Sequence, residues 1–241
     1  MVDLEEIFKK LGRQAGRFYN KGRWYWNSSF GDEKDAVKAE YQLGKNLALD
    51  LISTISIDLN PDLNELVLGV GKNLEYPLKN KSRKFHFYIH YTEDLNAYAL
   101  PGGFIFITYG LLNRIKGDED ELAFVLGHEM MHIVLGHPIE RVFAGYGTKV
   151  LNIVLSKYSK MGALSKQILN KFMTSNYSRE NEFEADAGGV ALMGAAGYNR
   201  KKSIKLLSRL ESQTQSKVNI FSYFASHPPI QSRIEQIRNK F

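Results

Sequence analysis

The chain has 241 residues, of which 44% are hydrophobic and 24% charged, and its formal net charge at pH 7 is +6. This length and balance are typical of a globular protein with one sizeable core. The sequence contains no cysteine, which excludes disulfides and thiolate zinc sites, so any metal must be held by nitrogen and oxygen ligands. The lack of cysteine suits either redox environment and leaves the compartment open.

The beginning of the chain, M-V-D-L-E-E-I-F-K-K, lacks the apolar core of a signal peptide. No uncharged apolar run in the sequence reaches the ~18 residues of a membrane helix. We therefore expect a soluble protein, whose signal or lipid anchor could have been removed from the sequence given.

Helical patterns dominate the first third of the chain. Apolar residues recur at helical spacing over residues 4–15, and an aromatic stretch follows at residues 18–26. A second helix is predicted over residues 32–55, and a third over residues 61–74, behind the cap-like Asn60. We expect these helices to wrap around a catalytic core that begins near residue 81, all within one domain.

Strand signals follow the helices. Apolar residues alternate with polar ones over residues 85–91, and residues 95–108, L-N-A-Y-A-L-P-G-G-F-I-F-I-T, predict two short strands around a Pro-Gly-Gly turn. The pattern favours a small sheet. His86 and His90 share one strand face and could in principle bind a metal, but no carboxylate pattern lies near them, so a structural role is favoured.

The most informative stretch is A-F-V-L-G-H-E-M-M-H-I-V-L-G-H at residues 123–137. His128 and His132 are four residues apart, so on a helix their imidazoles lie on one face and can reach a single ion. Glu129 projects beside that pair and is placed to accept a proton from water. The other positions from Phe124 to Leu135 are apolar or glycine, which predicts a helix buried almost all round. A metal explains why such a helix holds two histidines and a carboxylate.

The limits of this helix can also be predicted. An acidic D-E-D-E run after Gly117 suits its positive end, and Pro138 should kink or end it. His137 lies five residues after His132, about 500° further round a continuous helix. We therefore expect His137 to be rotated away from the histidine pair, as a neighbour and not a ligand.

The stretch S-R-E-N-E-F-E-A-D-A-G-G offers candidates for a third ligand. It lies within a helix predicted over residues 170–196. Glu182 and Asp186 are one turn apart, so one carboxylate can reach a metal while the other reaches a ligating histidine. Glu180 and Glu184 are also four apart. Spacing alone leaves the choice of ligand open.

Positive charge is concentrated between residues 141 and 179, where seven basic residues occur without an acidic one. Aliphatic residues are interleaved with the lysines, which predicts short amphipathic helices. A solvated helical hairpin is slightly favoured, and a lid or a surface for anionic membrane is the alternative. The segment carries no recognised nucleic-acid motif, so we expect no nucleic-acid partner.

Four motifs in order, N-A-Y-A-L-P-G-G, H-E-M-M-H, E-F-E-A-D and S-H-P-P-I-Q-S-R-I, resemble the zinc endopeptidase family of the CAAX prenyl endopeptidases and HtpX-type heat-shock proteases. The resemblance covers residues 85–241. It implies an α+β, mostly helical, zincin-like (gluzincin) fold with a small sheet beside the H-E-x-x-H helix. Because the sequence has no membrane spans, it is similar to the soluble subgroup, often found in bacterial envelopes, and residues 141–179 occupy the place of the spans.

The resemblance also implies roles for individual residues. It makes Glu182 the third zinc ligand and Asp186 its supporting acid. Asn96 and Ala97 match an edge strand that pairs with an extended substrate. His227 and Arg233 match positions facing the active site, where they would stabilise an oxyanion. For His227, the alternative role is to occupy the fourth coordination position of the zinc and exclude water.

Taken together, the sequence predicts a zinc metalloendopeptidase with one Zn²⁺ per chain, acting on extended or misfolded proteins, with Glu129 as general base. The alternative is a non-catalytic zinc-stabilised chaperone or scaffold module. The bacterial cell envelope is the favoured location and the cytoplasm the alternative. The substrate and cleavage preference are not readable from the sequence.

Overall fold

The computed structural model describes residues 33–78, 82–146, 162–174, 176–213 and 230–241. The predicted helix at residues 4–15, the aromatic stretch after it and His227 lie outside these ranges. The described helices are α1 Glu33–Ile52, α2 Pro61–Glu75, α3 Tyr109–Ile115, α4 Glu119–Leu135, α5 His137–Tyr146, α6 Gly162–Thr174, α7 Arg179–Ala195, α8 Lys201–Gln213 and α9 Ile230–Lys240. The strands are β1 His86–His90, β2 Ala97–Leu100 and β3 Phe104–Thr108. The expected mostly helical α+β architecture is confirmed.

One predicted helix ends earlier than expected and another is divided in two, because side chains compete for the backbone. After α1, the hydroxyls of Ser53 and Thr54 donate to the carbonyls of Asp50 and Leu51, which closes the helix before residue 55. The helix predicted over residues 170–196 is two helices, α6 and α7. Ser178 has extended backbone angles and its hydroxyl accepts from the amide of Asn181, so it starts a new helix as its N-cap.

The histidine-bearing helix α4 begins as predicted but ends for a different reason. Asp118 caps its first turn by accepting from the amide of Glu121. At the other end Gly136 adopts φ 81° and donates its amide to the carbonyl of Ile133, the left-handed geometry that terminates helices. Pro138 lies in the first turn of α5, where proline is tolerated; the break expected near Pro138 is present, but Gly136 and not Pro138 ends α4. The chain bends by 54° between α4 and α5.

The sheet has strand order β1-β3-β2, with β1 parallel and β2 antiparallel to the central strand. All five residues of β3 are buried. An aromatic row crosses the three strands, since Phe106 stacks on Tyr88 at 5.0 Å and on Tyr98 at 5.3 Å between ring centroids. Pairs of this kind fix the register of a sheet.

The two outer strands of the sheet differ in whether another segment is bonded to their outer edge. The loop before α2 covers β1, because Asp58 donates its amide to the carbonyl of Ile89 and Tyr91 donates to that of Ser56. On the other side, β2 pairs with β3 alone among the described strands. Thr108 fixes the start of β2, since its amide and its hydroxyl both donate to the carbonyl of Asn96.

Helix α4 forms the centre of the molecule. Its residues from Glu121 to Ile133 are all buried, and its apolar side chains share one cluster with residues of α2, the sheet, α7, α8 and α9. A second cluster lies between α1, the sheet and α6. The first helices described therefore contribute directly to the core, and the division of the chain near residue 80 stays a prediction.

Glycines allow α4 and α7 to approach closely. A Cβ atom on Gly189 would lie 2.9 Å from the amide nitrogen of His128, and one on Gly127 would lie 3.3 Å from the carbonyl oxygen of Gly189. Because both neighbours are backbone atoms, a side chain at either position would push the helices apart.

Among the described helices, none alone has the length and apolar character of a membrane span; α4 and α5 reach that composition only when taken together across their bend.

Substitutions of two helical glycines should have opposite effects on stability. Gly136→Ala places a Cβ atom at φ 81° and should lower the free energy of unfolding by about 1–2 kcal/mol. Gly69→Ala is the control, because Gly69 is exposed within α2 and nothing lies near its Cβ position; it should raise that free energy by about 0.5–1 kcal/mol. Urea unfolding measures both, and equal effects would contradict the role of Gly136 as the helix terminator.

Candidate metal centre

Helices α4 and α7 bring three potential metal ligands together. His128 and His132 come from α4 and Glu182 from the first turn of α7, and all three are buried. The Nε2 atoms of the histidines are 3.0 Å apart. The Glu182 carboxylate oxygens lie 3.6 Å from Nε2 of His128 and 3.4 Å from Nε2 of His132. Among the described residues, this is the group of histidines and acids that could hold an ion.

The spacing of these atoms fits a small tetrahedral ion. Ligand bonds of ~2.0–2.1 Å in a tetrahedron separate neighbouring ligand atoms by about 3.3–3.4 Å. The distance of 3.0 Å between the histidine nitrogens lies near that value, as do the distances of 3.4 Å to Oε1 and 3.6 Å to Oε2 of Glu182. Two imidazoles and one carboxylate are also a ligand set that zinc accepts with one position left open. The residues present therefore fit the metal that the sequence predicts.

The outer nitrogen of His128 is held by a buried ion pair. His128 Nδ1 donates to Asp186 Oδ1 at 2.9 Å. Arg233, fully buried on α9, donates from Nε and Nη2 to the two oxygens of the same carboxylate, each at 2.7 Å. The Nη1 atom of Arg233 lies 3.6 Å from Glu182. Asp186 thus faces the ligating histidine on one side and the guanidinium on the other.

The outer nitrogen of His132 faces another histidine. His132 Nδ1 lies 2.8 Å from Nδ1 of His137, and the Nε2 atom of His137 lies 3.3 Å from Oε2 of Glu184. His137 is not among the three grouped ligands, as expected. The expectation that it is rotated away from His132 is wrong, because the backbone break at Gly136 turns it back towards the end of α4.

An aromatic ring covers His132. Tyr177, just before the Ser178 cap, stacks on the imidazole with 4.1 Å between centroids and 18° between planes. The Arg141 guanidinium lies 4.5 Å from the centroid of the Tyr177 ring. Burial raises the pKa of the Tyr177 hydroxyl; Arg141 opposes this shift, and the negative charges of Glu129 and Glu182 reinforce it. The hydroxyl therefore lies within electrostatic reach of both carboxylates.

Burial and local charges set the protonation of the centre. Burial lowers the pKa of His132 well below its ordinary value, and contacts with Glu182 only partly oppose this. For His128, burial and the Arg233 charge lower the pKa, but Asp186 and Glu182 together outweigh them and the pKa is raised overall. Burial would raise the pKa of Asp186, but Arg233 and His128 together lower it to about 2. Asp186 is therefore a carboxylate that can accept the His128 proton at neutral pH.

The other predicted site residues are placed as follows. Glu129 is buried beside the ligands on α4, with an exposed fraction of 1%. The backbone of Asn96 is bonded to Thr108. Strand alternation then directs the N–H and C=O groups of Ala97 away from β3. His86 stacks on Phe104 and His90 lies against Tyr98, outside the ligand group, which agrees with the structural role favoured for them.

Sequence reasoning missed two parts of this centre. Tyr177 carried no signal beyond its position immediately before S-R-E-N-E. The contact between His132 and His137 could have been predicted by treating Gly136 as a helix terminator, because glycine after an apolar helical run signals a C-terminus.

Known proteins with related sequences include a mitochondrial metalloendopeptidase OMA1 of Schizosaccharomyces pombe, 32% identical over 59% of this chain and 42% of that protein. The metalloprotease YcaL of Escherichia coli is 29% identical over 63% of this chain and 60% of that protein. The beta-barrel assembly-enhancing protease of Escherichia coli is 22% identical over 85% of this chain and 44% of that protein. The chain spans between 42% and 60% of the length of these relatives.

The sequence model of peptidase family M48 matches residues 58–240. The match runs from the loop before α2 to the end of α9 and includes both helices of the metal centre. It confirms the resemblance drawn from the sequence motifs, and the chain belongs to peptidase family M48.

Proposed function

We propose that this chain is a zinc-dependent endopeptidase that hydrolyses peptide bonds in extended or misfolded proteins. The observation that carries the proposal is the buried convergence of His128, His132 and Glu182, together with the burial of Glu129, which follows His128 in the chain. Membership of peptidase family M48 and the metalloprotease names of the relatives support the same activity.

In this proposal His128 and His132, through their Nε2 atoms, and the Glu182 carboxylate hold one Zn²⁺ per chain. When bound, zinc supplies Lewis acidity, which lowers the pKa of water and polarises the scissile carbonyl. Asp186 accepts the Nδ1 proton of His128 and so keeps Nε2 of that ring directed at the ligand group.

Glu129 is the proposed general base. Its carboxylate takes the proton of the attacking water and then delivers it to the nitrogen of the leaving amine, so one residue serves both halves of the hydrolysis. Its burial supports this role, because a carboxylate in a dry site holds its position and exchanges protons with the reactants rather than with bulk water.

The edge of β2 that pairs with no described strand is the proposed place for the substrate, although the side chains of β2 are buried. An extended peptide can pair with the outward N–H and C=O groups of Ala97 whatever its side chains are. Because the backbone of Asn96 is committed to Thr108, we propose that pairing starts at Ala97. This mode suits unfolded segments, which present a free backbone.

Arg233 is better explained as a positioning residue than as the oxyanion stabiliser expected from the resemblance. Its Nε and Nη2 donors are engaged by Asp186, so it acts on the centre through the carboxylate that orients His128. The oxyanion role of His227 stays a prediction, as do a bacterial envelope location and contact of residues 141–179 with anionic membrane.

A non-catalytic zinc-stabilised scaffold is the competing function. A purely structural zinc site closes with a fourth protein ligand and needs no base. Among the described residues the group has three ligands, and a buried glutamate follows the first of them in the chain, which favours catalysis.

Metal analysis tests the ligand set. The purified chain should bind about one zinc, and Glu182→Ala should weaken binding strongly because it removes a direct ligand. Glu180→Ala should have no effect, since Glu180 is exposed, and Glu184→Ala should have far less effect than Glu182→Ala. Zinc loss in Glu184→Ala with retention in Glu182→Ala would show that the ligand assignment is wrong.

Cleavage of an unfolded protein tests the base. Glu129→Gln keeps the size of the side chain and removes its basicity, so the variant should retain zinc and fold but lose hydrolysis by ~10²–10⁴-fold. Activity close to that of the unsubstituted chain would reject Glu129 as the base. Hydrolysis absent from both proteins, with zinc bound, would favour the scaffold.

Unfolding of the metal-free protein tests the role of Arg233. Arg233→Ala leaves the buried Asp186 carboxylate uncompensated and should lower the free energy of unfolding by about 3–5 kcal/mol. Arg238→Ala on the exposed face of the same helix should change it by less than about 0.5 kcal/mol. If Arg233→Ala abolished hydrolysis and left stability unchanged, Arg233 would act on the substrate directly.

A further inference from the structure

We propose that His137 and Glu184 form a positioning pair that fixes the ring orientation and tautomer of His132. The inference rests on the proposed function, because it takes His132 as a zinc ligand through Nε2. It assigns roles to two residues that do not touch the ion.

The positions of the protons follow from the distances. His132 directs Nε2 at the ligand group, 3.4 Å from Glu182, so as a neutral ligand it carries its proton on Nδ1. That proton points at Nδ1 of His137, 2.8 Å away, which must therefore be the acceptor. His137 then carries its own proton on Nε2 and donates it to Glu184 at 3.3 Å. One arrangement of protons satisfies all three groups.

The contact depends on the break between α4 and α5. On a continuous helix, five residues correspond to about 500°, which would place His137 about 140° from His132 around the axis. The left-handed Gly136 and the 54° bend bring the ring back instead. His137 is 3% exposed and His132 fully buried, so water does not readily replace either partner in this contact.

The two ligating histidines are thus supported by different acceptors. His128 donates to a carboxylate that is already paired with Arg233. His132 donates to a neutral imidazole whose far nitrogen is held by Glu184. Outer acceptors of both kinds orient metal-bound imidazoles, and their removal typically weakens metal binding by ~10–100-fold.

The test is zinc affinity of the full chain, measured by competition with a chromogenic chelator. His137→Leu removes the acceptor at similar volume and should weaken binding by ~10–100-fold. His137→Asn places an amide oxygen near the position of Nδ1 and should restore most of the affinity. Glu184→Ala should give a smaller loss than His137→Leu, because His137 can still accept. Glu180→Ala is the matched control on the same helix and should bind zinc like the unsubstituted chain.

Cobalt substitution supplies a measurement that a general loss of protein stability would not change. The visible absorption of bound Co²⁺ reports ligand geometry, so it should change in His137→Leu and recover in His137→Asn.

Unchanged affinity and unchanged spectra in both His137→Leu and Glu184→Ala would overturn the inference while leaving the zinc site intact. Failure of the unsubstituted chain to bind zinc would instead overturn the proposed function, and this inference with it. If His137→Leu does not fold, Glu184→Ala decides by the same two measurements, with a loss of affinity supporting the pair and unchanged binding rejecting it.

Discussion

The close approach of α4 and α7 is the constraint on which the rest of the structure depends. Gly189 lies against the backbone of His128, and Gly127 against the backbone of Gly189. At this separation a carboxylate from one helix reaches imidazoles on the other without a loop between them. Ligand side chains held on two packed helices keep their orientation, because close-packed protein interiors resist displacement of their atoms. The sheet, α2, α8 and α9 then surround this helix pair.

Much of the centre could be predicted from the sequence, because the information is local. The spacing of His128 and His132 is a property of one helix, and so is the pairing of Glu182 with Asp186. The information that selects Glu182 over Glu180 and Glu184 as the third ligand is not local. Residues two positions apart on a helix point about 200° from each other, and only the packing against α4 decides which side faces the histidines. The resemblance supplied that choice, and the structure now gives its physical reason.

Two of the errors have a common cause, since both treated a helix as continuous where the backbone had an alternative partner. Ser178 divides the helix predicted over residues 170–196, and Gly136 divides the region between His132 and His137. Both breaks matter for the centre, as one sets the start of the helix that carries Glu182 and the other returns His137 to His132. Contacts such as that of Tyr177 with His132 join segments distant in sequence, so no periodicity could reveal them.

The pairing of Asp186 with Arg233 has a consequence for the order in which the centre matures. The two residues are 47 positions apart in the chain, so a growing polypeptide contains both histidines, Glu182 and Asp186 before it contains α9. Until that helix docks, the Asp186 carboxylate has the His128 donor but lacks the guanidinium charge, and its burial against α4 is less favourable. Packing of α7 onto α4 is therefore most favourable once α9 is in place, because the guanidinium then supplies the charge that the buried carboxylate needs.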